Sequence, residues 1–238
     1  MTPSVDEIPF LRLSLSLLPV LVVLFVFFRW SIGSRTALHA VVRMVTQLAL
    51  VGYVLTFIFG SNHPAVVLGT LTVMLVVASW IALRPLTSTR TSLYPSVFLS
   101  ISIGGVLTLV LITQGVLAVD VWHEGSVLIP LGGMIFATSM NTVSLAAERF
   151  KAERERAVPY PEARQIALRS AVIPQINTLF AVGVVAFPGM MTGQILSGVE
   201  PLVAVRYQIM VMCMMFGSAG ISAACFLQLQ RPAEDPQS

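Results

Sequence analysis

A chain of 238 residues with 56% hydrophobic and only 11% charged side chains, and a mean hydropathy of +0.87, has too few charges to cover a water-soluble core of that size. The bilayer is the expected solvent, and the fold class an all-α integral membrane protein of about seven transmembrane helices in a single transmembrane domain, residues 1–238. The net charge of +3 and the pI of about 9.2 follow from where the arginines fall between apolar segments, and give no reason to expect a nucleic-acid partner.

The first apolar segment, 10–28, follows Asp6 and Glu7 and has no small-residue cleavage site after it, so it reads as a retained span and not as a signal peptide. The second, 44–60, contains one amide, Gln47. The third and fourth cover 65–83 and 95–118. The fifth, 126–147, opens on Pro130-Leu131-Gly132-Gly133 and carries Thr138, Ser139, Asn141, Thr142 and Ser144 in its second half. Residues 148–169 form the largest polar stretch. Arg149–Glu153 and Lys151–Glu155 are spaced i, i+4 for a charged helical continuation of span five. Pro159-Tyr160-Pro161 stops that helix, and Pro161 with Glu162 suits the first turn of the next. The sixth span, 170–187, places Gln175, Asn177 and Thr178 just after Pro174.

Residues 188–201 are apolar yet too short to cross a bilayer, so a short re-entrant segment is expected, with Pro188-Gly189 and Gly198 permitting its reversals. The seventh span, 202–227, contains both cysteines, Cys213 and Cys225. Twelve residues of helix hold them about 18 Å apart, beyond disulfide reach. Met210, Cys213 and Met214 share one helical face, which suits either a soft metal ion or flexible packing.

Basic residues settle the expected orientation. Arg29, Arg35, Arg43, Arg84, Arg90, Arg149, Lys151, Arg154, Arg156, Arg164, Arg169 and Arg231 fall on one side of a seven-span alternation, and only Arg12 and Arg206 on the other. Basic loops mark the cytoplasmic side, so the N-terminus is expected outside, the C-terminus inside and residues 188–201 at the outer face.

If this chain does work, the energy is expected to come from another subunit. The only lysine, Lys151, follows Phe150, so no Gly-Lys of a nucleotide-binding P-loop exists. No carboxylate lies well inside a span, as a proton-coupled carrier usually requires. His39, His63 and His123 are scattered without metal-ligand spacing, and no metal site is assigned. An enzyme is therefore not expected. The amides and hydroxyls within the spans fit either interhelical hydrogen bonds or a polar substrate path along Gln47, Thr138, Asn141, Gln175 and Asn177.

The runs "VVRMVTQLALVGYVLTFIF" (41–59), "IPLGGMI" (129–135), "RSAVIP" (169–174) and "FPGMMTGQILSGVEPLVAVRYQIMV" (187–211) resemble the FetB family of bacterial ABC-type iron-export permeases, related to plant aluminium-tolerance permeases. The resemblance implies a multi-pass permease of the bacterial inner membrane, a homodimer paired with a cytoplasmic ABC ATPase subunit that uses ATP and Mg, with no cofactor in this chain. In bacteria the cargo is linked to iron; a nucleotide sugar has been proposed for plant relatives. Pro159, Tyr160, Pro161, Glu162 and Arg164 are then expected to couple to the ATPase, and Pro188, Gly189, Met190 and Met191 to shape an outer gate. Two departures from the family pattern touch these regions: Phe136-Ala137-Thr138-Ser139-Met140 replaces a Gly-Asn-Ala-Met run, and the cytoplasmic piece is shortened to Ala157-Val158-Pro159-Tyr160-Pro161. The shortened loop keeps open a second expectation, a non-transporting membrane scaffold that regulates a partner.

Overall fold

A computed structural model describes residues 9–60, 63–86 and 89–231. It divides into two compact units, residues 1–61 and 62–238. The described residues are helical apart from short connections and one isolated bridge.

In the first unit, α1 (Phe10–Leu15) and α2 (Leu18–Arg29) form a nearly continuous apolar rod of 19 residues from Leu11 to Arg29. The break between them falls where the hydroxyls of Ser14 and Ser16 donate back to the carbonyls of Leu11 and Leu13, at 2.7 and 2.6 Å. Such local bonds compete with the helical ladder. Gly33, at φ +57°, turns the chain into α3 (Ser34–Gly60). This helix begins ten residues before the expected span 44–60, because no proline or glycine interrupts residues 34–51.

The second unit holds α4 (Pro64–Ala82), α5 (Arg90–Val110) continued by a π turn (Leu111–Val116), α6 (Gly125–Glu155), α7 (Tyr160–Ala181), α8 (Gly189–Leu196) and α9 (Pro201–Leu229). The connection from α4 to α5 is fixed by Arg90, whose guanidinium lies 3.7 Å from the ring centre of Trp80 and donates to the Trp80 carbonyl at 2.6 Å. The core of this unit is apolar and mostly aliphatic: Val67 and Leu71 of α4, Val97 and Ile101 of α5, Ile135 and Val143 of α6 and Met214 of α9 are buried, with the aromatic Phe226 of α9. Helices α5 and α9 cross with almost no space between their backbones. A Cβ on Gly104 would lie 2.8 Å from the Ser222 amide nitrogen and 2.9 Å from the Ser218 carbonyl oxygen, and would overlap the Ser222 hydroxyl. Small residues at such crossings allow the close backbone approach that membrane helices rely on.

Five helical segments among the described residues are long and apolar enough to cross a membrane: Leu11–Arg29, Pro64–Ala82, Arg90–Val116, Gly125–Glu155 and Pro201–Leu229. Four of the expected spans therefore appear within a few residues of their places, and the fifth extends as a single 31-residue helix through the charged run. The expected sixth span, 170–187, differs. Helix α7 starts at Tyr160 and ends at Ala181. The amides of Val184, Val185 and Ala186 all turn back to the Ala181 carbonyl, at 3.2, 2.8 and 3.1 Å. Gly183 at φ +80° permits this reversal, a backbone region that residues with a Cβ rarely enter.

The interrupted stretch 188–201 becomes the eight-residue helix α8, about 12 Å long. Gly198, at φ +91°, reverses the chain after it, as expected. Gly189 does not act as a pivot: its φ is ordinary, it is the first residue of α8, and a Cβ there would meet open space. Gly183 takes that role, six residues earlier.

Candidate functional site

A cavity of about 740 Å³ opens at the end of the second unit where α6 and α9 begin. Its first wall is the connection between the π turn and α6. There the Leu117 amide reaches the Ile112 carbonyl at 2.9 Å and the Val119 amide the Thr113 carbonyl at 3.1 Å. Ala118 is held at φ +47°, a strained value for a residue with a Cβ. The second wall is the first turns of α6, through Ser126, Val127, Pro130, Leu131 and Met134. Met190 of α8 and Tyr207 and Met210 of α9 complete the lining.

Chemically the lining is apolar with a few polar groups, the composition usual for pockets that hold small molecules. Asp120 and Glu124 supply two carboxylates. Glu124 accepts a hydrogen bond from the Ser126 hydroxyl at 2.8 Å. The ion pairs among the described residues all lie on residues 149–156, so neither Asp120 nor Glu124 has a cationic partner within 4.0 Å. No lysine, arginine or histidine is among the described lining residues. Pro130 lacks the amide hydrogen that would bond the Ser126 carbonyl, so α6 is weakened as a helix where it borders the cavity.

Of the expected gate residues, Met190 lines this cavity, whereas Met191 is buried in packing and Pro188 caps α8. Met210 is buried at the cavity and Met214 in the core, while Cys213 between them is exposed. The three therefore do not gather into a soft-metal set. The described residues contain no cluster of three or more histidine, cysteine or acidic side chains able to hold a metal ion.

The expected polar path is not gathered around this cavity. Thr138 is buried and its hydroxyl donates to the Met134 carbonyl at 2.7 Å, a bond within its own helix. Asn141 is exposed on α6, Gln175 half-buried and Asn177 exposed on α7, and Gln47 exposed on α3 of the first unit. None of the five lines the cavity. The cavity residues Asp120, Glu124, Tyr207 and Met134 escaped sequence reasoning, because they come from three segments that only the fold brings together. The one available signal was the pair of acids between two apolar spans.

At the opposite end of α6 the polar stretch 148–169 is almost wholly helical, and only Arg156–Pro159 separates α6 from α7. Ala157 makes the turn at φ +60°, and the Arg154 guanidinium donates to the Val158 carbonyl at 2.9 Å. Glu153 is buried and holds Arg149 at 2.6 Å and Arg156 at 3.6 Å. Tyr160 is also buried. Its hydroxyl donates at 2.9 Å to the carbonyl of Leu227 in the last turn of α9, and its ring meets Phe150 edge-on at 6.0 Å. The guanidinium of Arg164 lies 5.5 Å from the Tyr160 ring centre and donates to Gln228 at 3.0 Å. Tyr160 thus clasps α6, α7 and α9 together, leaving Pro159, Pro161, Glu162 and Arg164 exposed around it.

Long apolar helices, interior glycine crossings and an open cavity at one end define a helical multi-pass membrane protein. The chain belongs to the uncharacterised protein family UPF0014, whose family model matches residues 10–159 and 152–233. It is 34% identical to a UPF0014 membrane protein of Synechocystis sp., over 71% of each chain. It is 30% identical to the Escherichia coli protein named "Probable iron export permease protein FetB", over 85% of this chain and 80% of that one. The Arabidopsis thaliana protein ALUMINUM SENSITIVE 3 is 28% identical, over 78% of this chain and 72% of that one. No solved structure matches the chain.

Proposed function

We propose that the chain is the membrane-spanning permease subunit of an ABC-type exporter, moving iron or another metal, free or complexed, out of the bacterial cytoplasm. A separate cytoplasmic ATPase supplies the energy, and two permease chains pair with two ATPase subunits in the inner membrane. The observation that supports this most is the relation, over 85% of this chain, to a protein named as a probable iron export permease. The positive-inside rule puts the Arg156–Pro159 turn in the cytoplasm and the 740 Å³ cavity at the outer face. The turn is then the point where the ATPase presses, with Pro159, Pro161, Glu162 and Arg164 as its exposed contacts and Tyr160 as their buried support. The cavity becomes the exit vestibule, with Met190 at its wall. A nucleotide sugar fits this vestibule poorly, because its diphosphate would face Asp120 and Glu124 with no cation in the described lining.

Cellular iron content tests the proposal. In a host lacking its own iron exporters, co-expression of the chain with an ABC ATPase encoded in the same genome should lower iron content. The chain alone should leave iron content unchanged. Equal iron content with and without the pair, at matched membrane expression, refutes metal export.

A further inference from the structure

The cavity is oversized for a bare ion. A hexahydrated metal ion occupies about 200 Å³, counting each water at its share of liquid volume. The cavity offers about 740 Å³, within the range of pockets that enclose whole small molecules. Nor do three or more histidine, cysteine or acidic side chains gather among the described residues to strip and hold an ion. Methionine sulfurs come from three positions, Met134, Met190 and Met210, among Leu117, Val119, Val121, Val127, Pro130 and Leu131. Flexible thioether side chains are what a pocket uses to follow varied apolar shapes.

Electrostatics then fix the sign of the occupant. Asp120 and Glu124 line the cavity without any ion-pair partner among the described residues. Tyr207, whose ring favours a cation at its face, stands at the same site and is 40% exposed. Its hydroxyl makes no hydrogen bond among the described residues. Two exposed carboxylates without a cationic partner and a tyrosine, at the edge of largely apolar walls, favour an occupant that is positively charged and largely apolar in surface.

We propose that this cavity binds a molecular cation, either an organic ammonium or phosphonium or a cationic metal chelate, in preference to a hydrated metal ion. That such a molecule leaves the cell here rests on the exporter reading above; the binding itself does not. The inference adds a physical form to the cargo: a metal would pass this point while still wrapped in its ligands.

Equilibrium binding to the purified chain in detergent micelles, with no ATPase present, tests the proposal separately from export. Three probes are used: tetraphenylphosphonium for organic cations, the inert coloured complex tris(2,2′-bipyridine)iron(II) for chelates, and hydrated manganese(II), followed by electron paramagnetic resonance, for bare ions. The expected result is saturable binding of at least one of the first two, with no saturable manganese binding over the same concentrations. The double variant Asp120→Asn with Glu124→Gln should weaken that binding by up to about tenfold, as loss of two exposed charge contacts implies. The variant Met190→Ala should weaken the bulky probes through lost contact area while leaving the carboxylates in place. Melting temperatures equal to that of the parent chain establish that each variant is folded. Binding that is unchanged in the double variant reflects micelle partition and overturns the proposal. Manganese binding as tight as that of the molecular cations, and lost in the double variant, overturns it in favour of a bare ion. A chain that binds the probes but leaves cellular iron unchanged would retain this inference and remove the metal-export reading instead.

Discussion

Truncating Tyr160 in two steps separates what its hydroxyl does from what its ring does. The hydroxyl donates to the Leu227 carbonyl at 2.9 Å, and the residue is only 5% exposed. That carbonyl belongs to the last turn of α9, where the Gln230 amide also donates to it at 3.3 Å, a long bond that leaves room for the tyrosine as a second donor. Tyr160→Phe removes the donor but keeps the ring, so the expected loss is about 1 kcal/mol, the net value of one neutral hydrogen bond. Tyr160→Ala removes the ring as well. It opens a cavity between α6, α7 and α9 and deletes the edge-on contact with Phe150 and the face on which Arg164 rests. Large aromatic deletions of this kind cost about 3–5 kcal/mol. Unfolding by sodium dodecyl sulfate titration in mixed micelles reads both free energies on one scale. The order parent, phenylalanine, alanine, with the second step about three times the first, is the expected result. An alanine variant no less stable than the phenylalanine variant would refute the view that Tyr160 clasps three helices. The residue would then belong to the exposed docking surface with its neighbours.

Three further outcomes follow from the same structure. Gly104→Ala should destabilise the chain by about 1–3 kcal/mol, because the new methyl meets the α9 backbone, whereas Gly217→Ala, which meets nothing within 4 Å, should be close to neutral; the same titration compares them. Gly189→Val should be tolerated in expression and melting temperature, while Gly183→Val and Gly198→Val, both at positive φ, should lower each. In a chain freed of Cys213 and Cys225, a cysteine at position 120 should react with an impermeant maleimide in intact cells and one at position 155 only after lysis; the reverse pattern would invert the orientation proposed above.

The fold was readable wherever an apolar run coincided with a helix that nothing interrupts. Spans over Pro64–Ala82 and Pro201–Leu229 match the sequence reading within two residues, since proline opens each helix and the apolar run ends with it. The sixth span misled because hydropathy cannot register a backbone reversal: Phe180, Val184, Val185 and Phe187 are as apolar as any spanning segment, yet Gly183 turns the chain among them. The hairpin at residues 156–159 was legible through its salt-bridge spacing and its two prolines. Its buried tyrosine was not, because the partner of Tyr160 lies 67 residues away in α9. The same distance problem hid the cavity. Met190 stood out from its neighbourhood, but its position opposite Asp120 and Tyr207 depends on how α8 and α9 return to the start of α6.

Helix α6 touches both ends of this unit. Its residues Ser126 to Met134 border the cavity, and the same unbroken rod, about 46 Å long, ends at Glu155 beside the turn. Mechanically it is a connecting rod with one soft joint, at Pro130. A push on the turn has two ways to travel: the rod tilts as a whole, carrying the cavity wall with it, or it flexes at Pro130 and leaves the first turn, residues 125–129, behind. A tilt carries the turn's displacement to the cavity wall, whereas a bend at Pro130 absorbs part of it. Stiffening that joint by Pro130→Ala would leave the rod only the tilt.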